Sequence, residues 1–134
     1  MKELVPHLAF AGSCEEALHF YKNCFGGQIV AKNIYKESPM DVPTAYQDKI
    51  MHSEFESNGI RFMAADLMPG QPVAHGNSVQ LSINLDDATE QERIFNKLAE
   101  GGKVEMELQD TFWGATFGML TDRFGITWML NCRT

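Results

Sequence analysis

An internal repeat constrains this chain more than any other feature. Phe20-Tyr21-Lys22-Asn23-Cys24-Phe25-Gly26-Gly27 is echoed by Phe95-Asn96-Lys97-Leu98-Ala99-Glu100-Gly101-Gly102. The Phe, the Lys and the Gly-Gly pair match at an offset of 75, and Glu15 falls on Glu90 at the same offset. A second echo sets Gly59-Ile60-Arg61-Phe62-Met63 against Gly125-Ile126-Thr127-Trp128-Met129 at an offset of 66. Both echoes come in the same order, which reads as a duplicated module. A longer connection in the first half absorbs the difference in offset. Tyr35 to Lys49, with Ser38-Pro39 and Val42-Pro43, has the turn chemistry for it. With 134 residues the chain has room for one domain made of two such modules. The boundaries expected are about 1–66 and 78–134, with a linker over about 67–77.

Each module has one helix. Ser13-Cys14-Glu15-Glu16 has the pattern of a capping box, and Asp87-Ala88-Thr89-Glu90 is its counterpart. After the first cap Ala17, Leu18, Tyr21, Cys24 and Phe25 recur at helical spacing. Ile94, Phe95, Leu98 and Ala99 do so after the second. Glycine then ends both helices. The strand segments alternate with period two. Leu8 and Phe10 oppose His7 and Ala9, and Val79, Leu81, Ile83 and Leu85 oppose Gln80, Ser82 and Asn84. Further strands are expected at Ile50–Phe55, Ile60–Ala65, Val104–Leu108, Ala115–Thr121 and Ile126–Asn131. Hairpin turns are expected at Asn58-Gly59 and Asp122–Gly125. Each module then reads β-α-β-β-β: an α+β fold in which two half-sheets, each covered by a helix on one face, curve around a shared groove.

Eleven basic against eighteen acidic side chains leave a net charge of −7. An acidic surface repels phosphate backbones and anionic lipid, so neither nucleic acid nor membrane is an expected partner. No apolar run approaches the roughly 18–20 residues of a membrane span. The stretch Met1 to Pro6 lacks the apolar core of a signal peptide. Three cysteines, Cys14, Cys24 and Cys132, read as reduced thiols of a cytoplasmic protein rather than a disulfide framework.

Several stretches carry a resemblance. They are Pro6-His7-Leu8-Ala9-Phe10-Ala11-Gly12, Glu16-Ala17-Leu18-His19-Phe20-Tyr21-Lys22, Phe25-Gly26-Gly27 and Met51-His52-Ser53-Glu54 in the first half. In the second half they are Phe112-Trp113-Gly114-Ala115, Phe117-Gly118-Met119 and Asp122-Arg123-Phe124-Gly125-Ile126-Thr127-Trp128. On these the chain resembles the vicinal oxygen chelate superfamily, which includes glyoxalase I and the bleomycin- and fosfomycin-resistance proteins, and within it the PhnB-like branch. The resemblance implies a small-molecule ligand and a homodimer. It also implies a groove in which enzymes of the superfamily hold a divalent metal through His, Gln or Glu. Carried over, those positions fall on His7, Gln80, Met63 and Met129. Thioethers are poor ligands for hard or borderline divalent ions, so the metal site reads as dismantled. A bound divalent metal is disfavoured, and no cofactor is assigned.

Other groove candidates follow from parity. His52 and Glu54 share a strand face, and a His beside a carboxylate suits general base chemistry. The same pair also reads as a solvated polar row continued by Glu56. His7, Gln80, Ser82 and Asn84 form either a ligand-binding polar wall or a water-lined sheet face. Arg61 lies on the side of Met63, as an anion receptor or a surface charge. Trp113 stands at a loop-to-strand junction, as a rim or a loop anchor. Met63, Met106, Met119 and Met129 offer an adaptable apolar wall. Phe62 and Trp128 read as core, His19 and His75 as exposed, and Asp66 as a cap or a pocket acid within the linker. The ligand-binding set is therefore His7, Arg61, Met63, Gln80, Ser82, Trp113 and Met129, with His52 and Glu54 as the catalytic pair.

Two functions fit this set. One is a vicinal-oxygen-chelate-type enzyme, a lyase, isomerase or transferase. The other is a protein that sequesters an antibiotic-type small molecule without reacting it. Relatives of this branch have also been called ubiquinone-pathway methyltransferases, but no glycine-rich nucleotide loop follows a strand here.

Overall fold

The computed structural model describes residues 1–134. In the first half, β1 (His7–Phe10) leads into α1 (Cys14–Phe25), followed by β2 (Gln28–Ile34), β3 (Ile50–Ser57) and β4 (Ile60–Asp66). The second half repeats the order with β5 (Leu81–Leu85), α2 (Ala88–Ala99), β6 (Lys103–Asp110), β7 (Ala115–Thr121) and β8 (Thr127–Arg133). The result is two open four-stranded mixed sheets, ordered β1-β4-β3-β2 and β5-β8-β7-β6. In each, only the first strand pairs in parallel, β1 with β4 and β5 with β8. The chain divides into two compact units, Met1–Ala74 and His75–Thr134.

In the first unit the helix-facing side of the sheet carries Leu8, Phe10, Phe55, Phe62 and Ala64. It packs against Ala17, Leu18, Tyr21, Cys24 and Phe25 of α1, all buried as the helical spacing requires. Phe55 and Phe62 stack with centroids 4.9 Å apart, and the Tyr21 ring meets Phe62 edge-on at 5.6 Å. In the second unit Trp128, Leu130, Leu120 and Cys132 meet Ile94, Phe95 and Leu98. Phe62 and Trp128 are both 2% exposed, as their matched places in the echo imply.

The repeated Gly-Gly pairs have a physical reason. Gly26 and Gly101 adopt φ of +74°, where a side chain is strained. Gly27 and Gly102 lie against the backbone of the neighbouring hairpin. A Cβ on Gly27 would run into the Glu56 carbonyl, and one on Gly102 into the Thr121 carbonyl. The same two demands at the same places produce the same dipeptide.

Four details correct the sequence reading. β2 is implied by the β-α-β-β-β order, but the sequence reading assigns it no residues; it runs over Gln28–Ile34, and its pairing with β3 slips between Ile29 and Ala31 and again near Ile34. Val79 is 79% exposed and precedes β5, so it does not share the strand face. Ser13 makes no side-chain cap on α1, although Asp87 does cap α2 by accepting from the Thr89 amide. The first helix is capped from a distance instead. Asp66 belongs to β4 rather than the linker, and its buried carboxylate accepts from the amides of Gly12 (2.7 Å), Cys14 (3.0 Å) and Ile50 (2.9 Å). An aspartate far along the chain outcompetes the local serine because it serves three orphan donors at once. The segment between β2 and β3 is the long excursion expected. It contains 3-10 turns at Tyr35–Glu37 and Thr44–Tyr46, and its two tyrosine hydroxyls donate to the Asp66 and Leu67 carbonyls.

Candidate functional site

The faces of the sheets turned away from the helices hold the polar and thioether side chains expected at a site, and each unit is described by itself. In the first unit, pairing register brings His7, Met63, Glu54 and Ala31 into one row across β1, β4, β3 and β2. His52 lies beside Asn33, and Glu56 beside Arg61. His52 Nε2 is 3.9 Å from Glu54 Oε1, so the pair shares a face at ion-pair distance but beyond a hydrogen bond. Arg61 is hemmed in by carboxylates. Glu3 pairs with its Nη1, Glu54 lies 3.7 Å from Nη2, and Glu56 lies 3.5 Å from Nε. Three negative charges around one guanidinium oppose the approach of a further anion. The surface-charge reading of Arg61 therefore describes it better than the anion-receptor reading. His7 is exposed at the strand's end.

In the second unit the corresponding face is apolar. Met119 pairs with Met129 and with Met106, and Phe117 with Asn131 and Gln109. Trp113 leans over this face from the β6–β7 connection. Its ring meets Phe117 edge-on at 5.8 Å, and its indole N–H donates to Asn131 Oδ1 at 3.3 Å. Phe112, 98% exposed, meets Trp113 edge-on at 5.1 Å, while Trp113 itself is 52% exposed. Ser82 pairs with Met129 and Asn84 with Asn131, which gives the thioether wall a polar margin. Gln80 stands just outside β5, and its amide turns back toward the Asn77 carbonyl at 3.4 Å. Phe112, Phe117 and Asn131 are additions to the expected site residues. Period-two counting from Met129 and Met119 finds Asn131 and Phe117, whereas Phe112 has no periodic signal.

The donor chemistry does not fit a resident divalent metal. In the first unit His7 is flanked by the Met63 thioether, and Glu54 is already close to Arg61. In the second unit the strand position offers Met129. Nowhere do three or more His, Cys, Asp or Glu side chains gather in a way that could hold an ion. No cysteine serves as a nucleophile on these faces, since all three are buried and free. Burial, with the nearby Asp66 charge adding to it, pushes the Cys14 thiol up to about 12.

A family model described as 3-demethylubiquinone-9 3-methyltransferase matches residues 2–131. The chain belongs to that family. It is the PhnB-like branch of the vicinal oxygen chelate superfamily, as the motifs implied. A relative is Protein YjdN of Escherichia coli (strain K12), 31% identical over 96% of this chain and 93% of its own length. Among solved structures, protein PA1353 from Pseudomonas aeruginosa is 43% identical with a TM-score of 0.88, covering 99% of this chain and 98% of that one. A putative 3-demethylubiquinone-9 3-methyltransferase, PhnB protein, from Bacillus cereus is 26% identical with a TM-score of 0.83, covering 98% and 99%. The fosfomycin resistance protein FosX from Listeria monocytogenes, at 11% identity and a TM-score of 0.67 over 100% of this chain and 94% of its own, shares the PhnB-like fold alone.

Proposed function

We propose that this PhnB-like chain binds a small organic molecule on the helix-free sheet faces and does so without a divalent ion. The observation that carries the proposal is the half-exposed Trp113, held over a wall of Phe117, Met119 and Met129 by its bond to Asn131. A large aromatic ring fixed in place and left open to solvent is suited to stacking against an apolar or aromatic ligand, and thioethers adapt to its outline. Ser82 supplies a hydroxyl at the margin. In the first unit His7, His52, Glu54 and Met63 offer a polar row for an oxygen-bearing group, with Arg61 holding the carboxylates in place.

The test uses the two tryptophans. Trp128 is buried and donates to Asp122 at 2.8 Å, so it is shielded, whereas Trp113 is open. A thermal-shift screen of metabolites and antibiotics, followed by tryptophan emission, is expected to yield a ligand that changes Trp113 emission with no added metal. A ligand whose binding survives Trp113→Ala unchanged, or one that needs Mn²⁺, Ni²⁺ or Zn²⁺, would overturn the reading.

A catalytic version rests on the His52–Glu54 pair. The Glu54 carboxylate stands 3.9 Å from the His52 imidazole on one sheet face, and His52 is the base for proton abstraction next to a carbonyl. Once a ligand is found, Glu54→Gln is expected to slow its conversion while leaving binding intact. Unchanged turnover would reduce the protein to a sequestering role. Methyl transfer has less support. The turn between β1 and α1, where a donor's anionic group would sit on helix amides, already gives the Gly12 and Cys14 amides to Asp66. The proposal includes a cytoplasmic homodimer, which sedimentation of the purified chain and fractionation of its host test directly.

A further inference from the structure

The two units handle the gap between helix and edge strand in opposite ways. In the first unit, Lys32 on β2 reaches Glu15 on α1 at 2.8 Å and clasps strand to helix. At the offset of 75 that aligns the glycine pairs, Lys32 falls on Glu107 of β6 and Glu15 on Glu90 of α2. The clasp is thus lost by a reversal of sign. Between α2 and β6 the second unit has a cleft of about 400 Å³ lined by Gln91, Glu92, Phe95, Asn96, Glu107 and Leu108.

The cleft is built. Two residues of β6, Glu107 and Leu108, stand opposite Gly118 alone, because the register slips between Met106 and Gln109. Gly118 keeps the packing there close, since a Cβ would lie 2.8 Å from both the Leu108 and the Phe95 side chains. At the base is Gln91, a polar side chain only 1% exposed. Its Nε2 donates to the Thr116 carbonyl at 2.9 Å and the Leu130 carbonyl at 3.2 Å. Exchanging amide O and N would face three oxygens together, so the orientation is settled. Gln91 Oε1 receives no hydrogen bond from the chain. No buried side-chain oxygen or nitrogen lacks a partner, so Oε1 opens onto the cleft. Glu92 and Glu107 form no ion pair within the chain, and no basic residue lines the space.

A fixed carbonyl at the base, two unpaired carboxylates above it and apolar Phe95 and Leu108 beside it describe a receptor for a donor-only cation with a hydrocarbon stem. We propose that this cleft in the second unit binds a primary ammonium group on a short alkyl chain. This site is separate from the helix-free faces and stands whether or not the reading above holds.

The experiment titrates the full chain with n-butylammonium chloride while following side-chain amide resonances by ¹H–¹⁵N NMR, with NaCl at equal ionic strength and n-butanol as controls. Saturable shifts at Gln91 and Asn96, half complete near about 1 mM, are expected from the ammonium alone. Glu107→Lys, a surface change that reproduces the charge of Lys32, is expected to weaken binding by about tenfold or more, and Glu107→Gln by less. Equal shifts with NaCl, shifts confined to other residues, or undiminished binding by the folded Glu107→Lys protein would each overturn the proposal.

Discussion

At the scale of single residues, the chain is governed by positions where one atom too many cannot fit. Gly27 and Gly102 lie so close to a neighbouring strand that a methyl group meets backbone rather than a movable side-chain tip. Gly27→Ala and Gly102→Ala are each expected to destabilise the fold by about 2–4 kcal/mol, measured as a lowered denaturant midpoint. Gly26 has open space around its Cβ position, so Gly26→Ala carries only the cost of its backbone, φ +74° with ψ −156°, a region open almost to glycine alone, about 1–3 kcal/mol. Equal losses at positions 26 and 27 would refute the close-approach argument. The dipeptide itself was legible in the sequence, because duplicated geometry leaves a duplicated trace. The environment of Arg61 was not, because strand parity placed its side chain on the correct face without revealing Glu3, which comes from a segment with no regular structure.

At the scale of elements, Asp66 ties β1, α1, β3 and β4 together through three backbone amides. Asp66→Ala strands three backbone donors, two of them buried, with an expected loss of about 3–5 kcal/mol by chemical denaturation. Ser13→Ala, which removes no cap hydrogen bond, should change stability by less than about 0.5 kcal/mol. The sequence suggested the reverse order of importance, since a capping box is a local pattern and Asp66 acts across the fold. The excursion between β2 and β3 adds a pH signature. Burial, with the Asp66 charge secondary, raises the Tyr35 hydroxyl above its usual 10.0, and the same causes raise Tyr46. In the unfolded chain these hydroxyls ionise at about 10. Their stabilising contribution is therefore complete below that pH and lost as pH climbs through the higher folded values. Tyr35→Phe together with Tyr46→Phe should flatten the fall in melting temperature above pH 10. An unaltered alkaline profile would show that other groups control it.

At the scale of the whole molecule, a net charge of −7 predicts firm retention on an anion exchanger at pH 7 and free passage through heparin at low salt. Binding to heparin would reveal a basic patch that the overall charge conceals. No helix is long and apolar enough to cross a membrane. The repeated βαβββ order was readable because the helix periods, glycine pairs and hairpin turns all survive in both halves. The candidate faces were readable in part: Met129 and Trp113 lie on the expected side, while Gln80 falls just short of its strand. Gln91 escaped notice because a glutamine on a helix ordinarily faces water, and only the sheet above it explains its burial. The reversed charge of Lys32 and Glu107 has one last consequence. One polypeptide carries the closed and the opened form of a single scaffold through every change of buffer, salt or temperature, so any divergence between the two can be read as an internal difference, with the first half serving as a built-in control for the second.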